Sequence, residues 1–348
     1  SLMDPWGSEV IKSEVKLSDS EQYLNKVVEN LAAYRADCID RLMREGLIMA
    51  FASASNIDLS GATYCILTGA SQGIGRAIAV ELAKHLGPKS LMLLLARNKD
   101  QLAKTAELCK SDNIKIVYES MDLATASAPD MKDVIHNSLK GYKITDFANC
   151  MIFHNVGSLG NLSVETGRME NLEEMRQYYD LNVFNVIKLN TQFLKVFEEV
   201  EDRLVIVNVT SLCAIKPMSG MASYCSGKAA REMYFKVLAD EKKDIRVLNY
   251  SPGPVETSMI DYVLAETVNA NLRDVFTSFR SQGALLKYNA GTVMAGRKSL
   301  FIFLMGLAWK CRYSMPLLLS GTVAILGRAW MFQIRVHTVH RLHENEVT

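Results

Sequence analysis

The chain has 348 residues, apolar residues make up 49% of it, and its formal net charge is +1. Half-apolar composition supports a substantial buried core, and near-neutrality argues against a nucleic-acid partner. Its seven cysteines are odd in number, include no Cys-x-x-Cys pair, and several sit in apolar runs, so they read as reduced thiols of a cytoplasmic protein rather than a disulfide framework.

Residues 1–60 form a distinct N-terminal extension. Leu24, Val27, Val28, Leu31, Tyr34, Ile39 and Leu42 recur at helical spacing after a Ser18-Asp19 start signal. This spacing predicts one amphipathic helix. No basic stretch leads into an apolar run near the N-terminus, so a secretory signal is not expected, and Met49-Ala50-Phe51 reads as an alternative start.

Residues 61–286 alternate short apolar runs with helical patterns. Runs at 63–67, 91–96, 114–118, 148–153, 204–209 and 245–250 read as strands. Helical stretches at 74–86, 99–110, 131–139, 172–197 and 224–239 separate them, the second opened by Asn98 as a cap. Strands this apolar, alternating with helices, predict an α/β fold: a doubly wound parallel sheet of the Rossmann type, covered on both faces.

Residues 287–348 change character. No acidic residue lies between Asp274 and Glu344, and two apolar runs, 300–309 and 315–326, are split by Lys310 and Arg312. Each run is shorter than the ~20 residues of a membrane span. The alternatives are a basic amphipathic segment at a membrane surface or a buried helix and strand that finish the domain. His337, His340 and His343 recur at helical spacing, but no neighbouring ligand completes a metal site.

Two constellations in the central region carry chemistry. In Thr68-Gly69-Ala70-Ser71-Gln72-Gly73-Ile74-Gly75 a strand ends in glycines and feeds a helix. Such a turn lets a pyrophosphate approach the backbone and meet the free N–H groups of the helix start. The second strand ends at Arg97-Asn98, where Arg97 offers a planar cation to a 2′-phosphate, so NADP(H) is expected over NAD(H). Asp122, after the third strand, suits the adenine edge, and Asn155-Val156-Gly157 forms a small turn under the cofactor. Downstream, Tyr224 and Lys228 lie one helical turn apart, with Ser211 at a strand end before them. A phenol made more acidic by a nearby ammonium can protonate a carbonyl oxygen as hydride reaches its carbon, while Ser211 donates to the same oxygen. Asn182 is placed to brace a water or a backbone turn beside Lys228. Cys213 and Cys225, which flank this site, read as small packing groups.

Together Thr-Gly-x-x-x-Gly-x-Gly, Asn155-Val156-Gly157 and Ser211…Tyr224-x-x-x-Lys228 resemble the short-chain dehydrogenase/reductase family. The segments Ser211-Leu212-Cys213-Ala214 and Asn249-Tyr250-Ser251-Pro252-Gly253-Pro254 narrow the resemblance to its pterin ketone reductases, over about residues 62–286. That resemblance implies NADPH-dependent reduction of pterin side-chain ketones, towards tetrahydrobiopterin, by a homodimer packed through its long helices. It assigns cofactor contacts to Gly69, Ser71, Gly73, Ile74, Gly75, Arg97, Asn98, Asp122, Asn155, Lys228, Val255, Thr257 and Met259. Ser211, Leu212, Tyr224 and Gly253 would touch substrate. Two departures stand out. Gln72 replaces a basic residue common in NADPH-preferring relatives, and no aspartate follows Asp274, whereas the pterin reductases grip their substrate with one near the C-terminus. A broader reductase of diketones or quinones, and a non-catalytic variant, are therefore the alternatives.

Overall fold

A computed structural model describes residues 58–285 and the backbone of a short strand at 335–336. The expected N-terminal helix, the apolar runs from residue 300 and the histidines at 337, 340 and 343 lie outside the described residues.

The sheet has strand order β3-β2-β1-β4-β5-β6-β7. Six strands run parallel: β1 (Thr63–Thr68), β2 (Ser90–Ala96), β3 (Ile114–Ser120), β4 (Asn149–His154), β5 (Leu204–Val209) and β6 (Arg246–Tyr250). β7 (Arg335–Val336) adds two antiparallel residues to the β6 edge. The helices are α1 (Gly73–Ala83), α2 (Lys99–Leu108), α3 (Ala128–Ser138), α4 (Leu172–Tyr179), α5 (Asn185–Val196), α6 (Ala222–Glu241), α7 (Ser258–Glu266) and α8 (Ala270–Ser281). Among the described residues no helix is long and apolar enough to cross a membrane.

The expected two-faced burial is present, and it follows from strand alternation. Tyr64, Ile66, Leu91, Leu93, Ile152 and Ile206 point to one side and pack with residues of α3, α5 and α6. Their neighbours Cys65, Leu67, Met92, Leu94, Phe153 and Val207 point to the other, against α1 and α2. Local signals act as expected: Asn98 Oδ1 accepts from Gln101 N at 2.9 Å to cap α2, and Ser127 and Asp130 form a reciprocal capping box on α3.

Two expectations need correction. The stretch 172–197 is not one helix. A π-helical turn, Asp180–Phe184, separates α4 from α5; it leaves the apolar pattern nearly continuous while rotating the side chains within it. The segment after Pro254, for which no element was expected, forms α7 and α8, whose Ile260, Val263, Leu272 and Phe276 build a third small core with Leu159 and Leu162.

The order places β1 beside β4, with β2 and β3 on one side and β5 and β6 on the other. Crossovers depart in opposite directions from this pair, so the carboxyl ends of β1 and β4 open a crevice.

Candidate active site

Register aligns the carboxyl ends of all six parallel strands. Gly69, Arg97, Asp122, Asn155, Ser211 and Gly253 each follow a strand end, so residues spread over nearly two hundred positions share one edge.

Thr68 and Asn155 hold the centre of that edge. Thr68 Oγ1 donates to Phe153 O (3.1 Å) and accepts from Asn155 N (3.0 Å) and Val156 N (3.1 Å). Asn155 Nδ2 donates back to Thr68 O (3.1 Å) and Gly69 O (3.3 Å). Gly69 adopts φ +66°, and a Cβ on Gly75 would lie 2.1 Å from Gly69 O. Strand end and helix start therefore touch backbone to backbone, which only glycine permits. Gln72, at the start of α1, makes no side-chain cap, so the first N–H groups of the helix keep no side-chain acceptor. Side-chain-free backbone and uncapped amides fit a pyrophosphate. Ser71, Gly73 and Ile74 lie in this turn.

Around it, the Arg97 guanidinium is exposed and makes no hydrogen bond among the described residues. Asn98 is engaged as the α2 cap, and Asp122 Oδ1 accepts from Ala124 N at 3.0 Å. The segment carrying Val255, Thr257 and Met259 reaches the glycine turn: Gln72 Nε2 donates to Ser258 Oγ at 3.3 Å. Arg280 holds it from behind, donating to Glu256 (2.5 Å) and Asp261 (2.7 Å).

On α6, Tyr224 and Lys228 share a face with Arg231, four and seven residues along. The Tyr224 hydroxyl hydrogen-bonds the Ser211 side chain. Ser211 sits at the end of β5, and its Oγ accepts from Cys213 N at 3.2 Å to cap the short turn Leu212–Ala214. Lys228 Nζ donates to Val209 O at 2.7 Å and lies 5.6 Å from the centre of the Tyr224 ring. The structure thus brings Ser211, Tyr224 and Lys228 together as expected, but the electrostatics differ. Burial pushes the Tyr224 phenol up to about 12, against the pull of its Ser211 hydrogen bond. Burial first, and Arg231 second, hold Lys228 well below the ordinary lysine range. Burial is the dominant influence at both groups.

Asn182 lies buried in the π turn. Its Oδ1 accepts from Ser158 N (2.8 Å), and its Nδ2 donates to Tyr178 O (2.7 Å) and Ser158 Oγ (3.1 Å). Asn182 thus braces the backbone at Ser158. A Cβ on Gly157 would sit 3.3 Å from Asn182 Oδ1 and 3.8 Å from Lys228 Nζ, so this glycine keeps the two close.

Two residues, Arg231 and His154, had no assigned role in the sequence. Arg231 is fully buried and donates to Asn208 Oδ1 (3.1 and 2.7 Å), Val156 O (2.9 Å) and His154 O (2.7 Å); it fastens α6 to the turn beneath the cofactor crevice. His154 is buried with Nε2 3.1 Å from Asn190 Oδ1. Cys213 is buried, and Cys225 is half-buried and packs against the third small core, its Sγ 4.0 Å from Met218 O.

His154 has a measurable consequence. Burial lowers its imidazole from 6.5 to about 3. Between those values the unfolded chain takes up a proton that the folded chain refuses, so stability falls as pH drops below about 6.5, by up to about 1.4 kcal/mol per pH unit. Urea unfolding from pH 7.5 to 5 is expected to show this slope, and His154→Gln to flatten it. A wild-type midpoint that stays level over that range would mean that the folded imidazole accepts the proton.

The family model described as short chain dehydrogenase matches residues 63–267. The sepiapterin reductase of Xenopus tropicalis is 36% identical over 229 residues, which is 65% of this chain and 87% of that protein. The benzil reductase ((S)-benzoin forming) of Bacillus subtilis is 25% identical over 198 residues, 56% of this chain and 75% of that protein. Among solved structures, a short chain dehydrogenase/reductase from Saccharomyces cerevisiae matches with a TM-score of 0.56 at 22% identity, over 65% of this chain and 85% of that one; at that identity the likeness concerns the fold.

Proposed function

Since the chain belongs to the short chain dehydrogenase family, we propose that it is an NADPH-dependent carbonyl reductase acting on the side-chain ketone of a pterin. The observation that carries this reading is the Tyr224 hydroxyl hydrogen-bonded to Ser211 with Lys228 one turn on, at the strand edge that also holds the glycine turn.

The backbone from Gly69 to Gly75 would hold the pyrophosphate, with Asn155 bracing the turn from below. Val255, Thr257 and Met259 would close over the nicotinamide ring, Asp122 would meet the adenine, and Arg97 beside Asn98 would meet a 2′-phosphate. When bound, the reduced nicotinamide supplies hydride. The chain's own residues supply the proton. A phenol at about 12 keeps its proton at neutral pH and is still a stronger acid than an alcohol, whose pKa resembles the 15.7 of water. Proton transfer from Tyr224 to a developing alkoxide is therefore downhill even without help from Lys228. Ser211 donates to the same oxygen, and Lys228, anchored on Val209 O, is placed for the cofactor's ribose. Leu212 and Gly253 border the substrate side. Phe184, beside α5, and Met233 and Val237 on α6 are exposed, which supports a homodimer packed through those helices.

A second reading has its own support. No aspartate follows Asp274, so the pterin reductases' anchoring carboxylate is missing, and the benzil reductase similarity favours a broader reductase of diketones. Nicotinamide absorbance with sepiapterin and with benzil, using NADPH and NADH in turn, separates the two. Sepiapterin is expected to give the higher kcat/KM and NADPH to be preferred at least ~10-fold, about 1.4 kcal/mol. Arg97→Glu is expected to erase that preference. A reversed substrate order would favour the diketone reading, and NADPH binding with no turnover of either would make the chain a binding protein.

A further inference from the structure

One aromatic ring stands between α6 and the loop that follows β4. Tyr178 is buried at the C-terminal end of α4, and a glycine faces each edge of its ring. On one side, a Cβ on Gly160 would lie 2.9 Å from Tyr178 Cδ2 and 3.2 Å from Ser223 Cβ. On the other, a Cβ on Gly227 would lie 2.6 Å from the Tyr178 hydroxyl oxygen and 2.8 Å from Cε1. Carbon atoms pack at ~3.5–4.0 Å, so neither position has room for a methyl group while the ring is there.

Gly227 is the informative one of the two. Gly160 adopts φ +75°, which by itself favours glycine. Gly227 lies inside α6, between Tyr224 and Lys228, where the backbone is helical and glycine is a poorer choice than alanine. The helix does not call for a glycine at 227; the Tyr178 ring does.

Tyr178 also reaches the remaining parts of the site. Its carbonyl oxygen accepts from Asn182 Nδ2 at 2.7 Å, and Asn182 Oδ1 accepts from Ser158 N at 2.8 Å. Gly160, two residues past Ser158, accepts through its carbonyl from the Tyr262 hydroxyl of α7 at 3.2 Å. The loop, the π turn and α6 therefore all converge on this one residue.

We propose that Tyr178 is a positioning residue for ketone reduction: its ring, wedged between Gly160 and Gly227, sets the spacing between the Asn182 turn and the face of α6 that carries Tyr224 and Lys228. Burial pushes the Tyr178 phenol up, so at neutral pH the wedge is an uncharged group of fixed size and acts through shape. A change in its bulk, or in the space at 227, shifts Tyr224 relative to Ser211 and so misplaces the proton donor.

Unfolding midpoints decide the wedge. Tyr178→Leu takes away the outer ring carbons and the oxygen, the atoms nearest Gly227. Gly227→Ala is expected to lower the midpoint when Tyr178 is present and to raise it in the Tyr178→Leu background, where the better helix former meets no ring. A shift of the same sign in both backgrounds overturns the wedge.

Steady-state rates decide the positioning, which rests on the carbonyl-reductase reading. At a temperature where the variants are folded, Gly227→Ala and Tyr178→Leu are each expected to lower kcat at least ~10-fold, within the ~10²-fold that a misplacement of about 1 Å can cost. KM for NADPH is expected to stay within ~3-fold, since the lost interaction belongs to the transition state. Tyr178→Phe keeps ring carbons against both glycines and is expected to remain within ~3-fold of wild-type kcat. Tyr178→Leu at wild-type kcat would make the ring a structural group only, and Tyr178→Phe as slow as Tyr178→Leu would transfer the role to the hydroxyl; either result overturns the positioning role. A wild-type chain that reduces neither sepiapterin nor benzil refutes the function proposed above and the positioning role with it, while the midpoints still decide the wedge.

Discussion

Tyr224→Phe is expected to lower kcat for ketone reduction by about a thousandfold, within the ~10²–10⁴ range of a lost general acid, while NADPH still binds. The substitution removes one oxygen and leaves the ring, which is half-buried and packs against the third small core. The fold should therefore hold. Without the phenol, the developing alkoxide meets only the Ser211 hydroxyl, which is held as the cap of the Leu212–Ala214 turn. A serine hydroxyl is too weak an acid to replace the proton source. The measurement pairs steady-state turnover with cofactor binding followed by nicotinamide fluorescence. Turnover within tenfold of wild type would remove Tyr224 from the acid role, and loss of cofactor binding in parallel would mean that the ring supports the crevice instead.

Arg231→Met is expected to destabilise the fold by about 3–5 kcal/mol, the range for removing one partner of a buried charged network. Arg231 is the bulkiest of the fully buried side chains among the described residues. It has no carboxylate partner at hydrogen-bonding distance there; burial lowers it to about 10, so it stays charged at neutral pH. Its charge is met by neutral acceptors: the carbonyl oxygens of His154 and Val156 and the Asn208 amide, whose nitrogen in turn donates to Asn249 Oδ1 at 2.7 Å. Methionine fills the volume but leaves those acceptors unpaired, at about 1–3 kcal/mol for each buried one. Thermal unfolding would then shift down by roughly 6–20 °C, given ~2–4 °C per kcal/mol for a domain of this size. Arg231→Lys keeps the charge but cannot reach all three acceptors, so an intermediate loss is expected. A methionine variant within about 1 kcal/mol of wild type would show that the network contributes little to stability.

Much of the fold is legible from the sequence because strands and helices here obey local periodicity. The inner strands β1, β2, β4 and β5 are apolar runs, and the caps at Asn98 and Ser127 are short-range events. The π turn escapes such reading, since one inserted turn barely disturbs the apolar pattern of 172–196 yet aims Asn182 at Ser158. α6 is the other difficult case. Its buried face carries Lys228, Arg231 and Glu232, so its hydrophobic periodicity is weak although it is the helix on which the chemistry depends. Tyr224 and Lys228 could be found by their spacing; Arg231, three residues further on, offers no spacing rule, and only its four hydrogen bonds identify it.

The identities at the site were in the sequence from the start: a glycine turn, a serine, a tyrosine and a lysine at spacings that local chemistry explains. What they do to one another was not. Whether an ammonium lowers a phenol depends on how much water each has lost, and that is set by the packing of α6 against β5. Burial there raises the Tyr224 phenol and disfavours the charge on Lys228. Likewise Asn182 and Ser158 lie far apart in the chain, and only the fold sets the Asn182 amide oxygen against Ser158 N. Residue type and spacing are properties of the covalent chain; desolvation and contact between distant groups exist only once the sheet edge has closed.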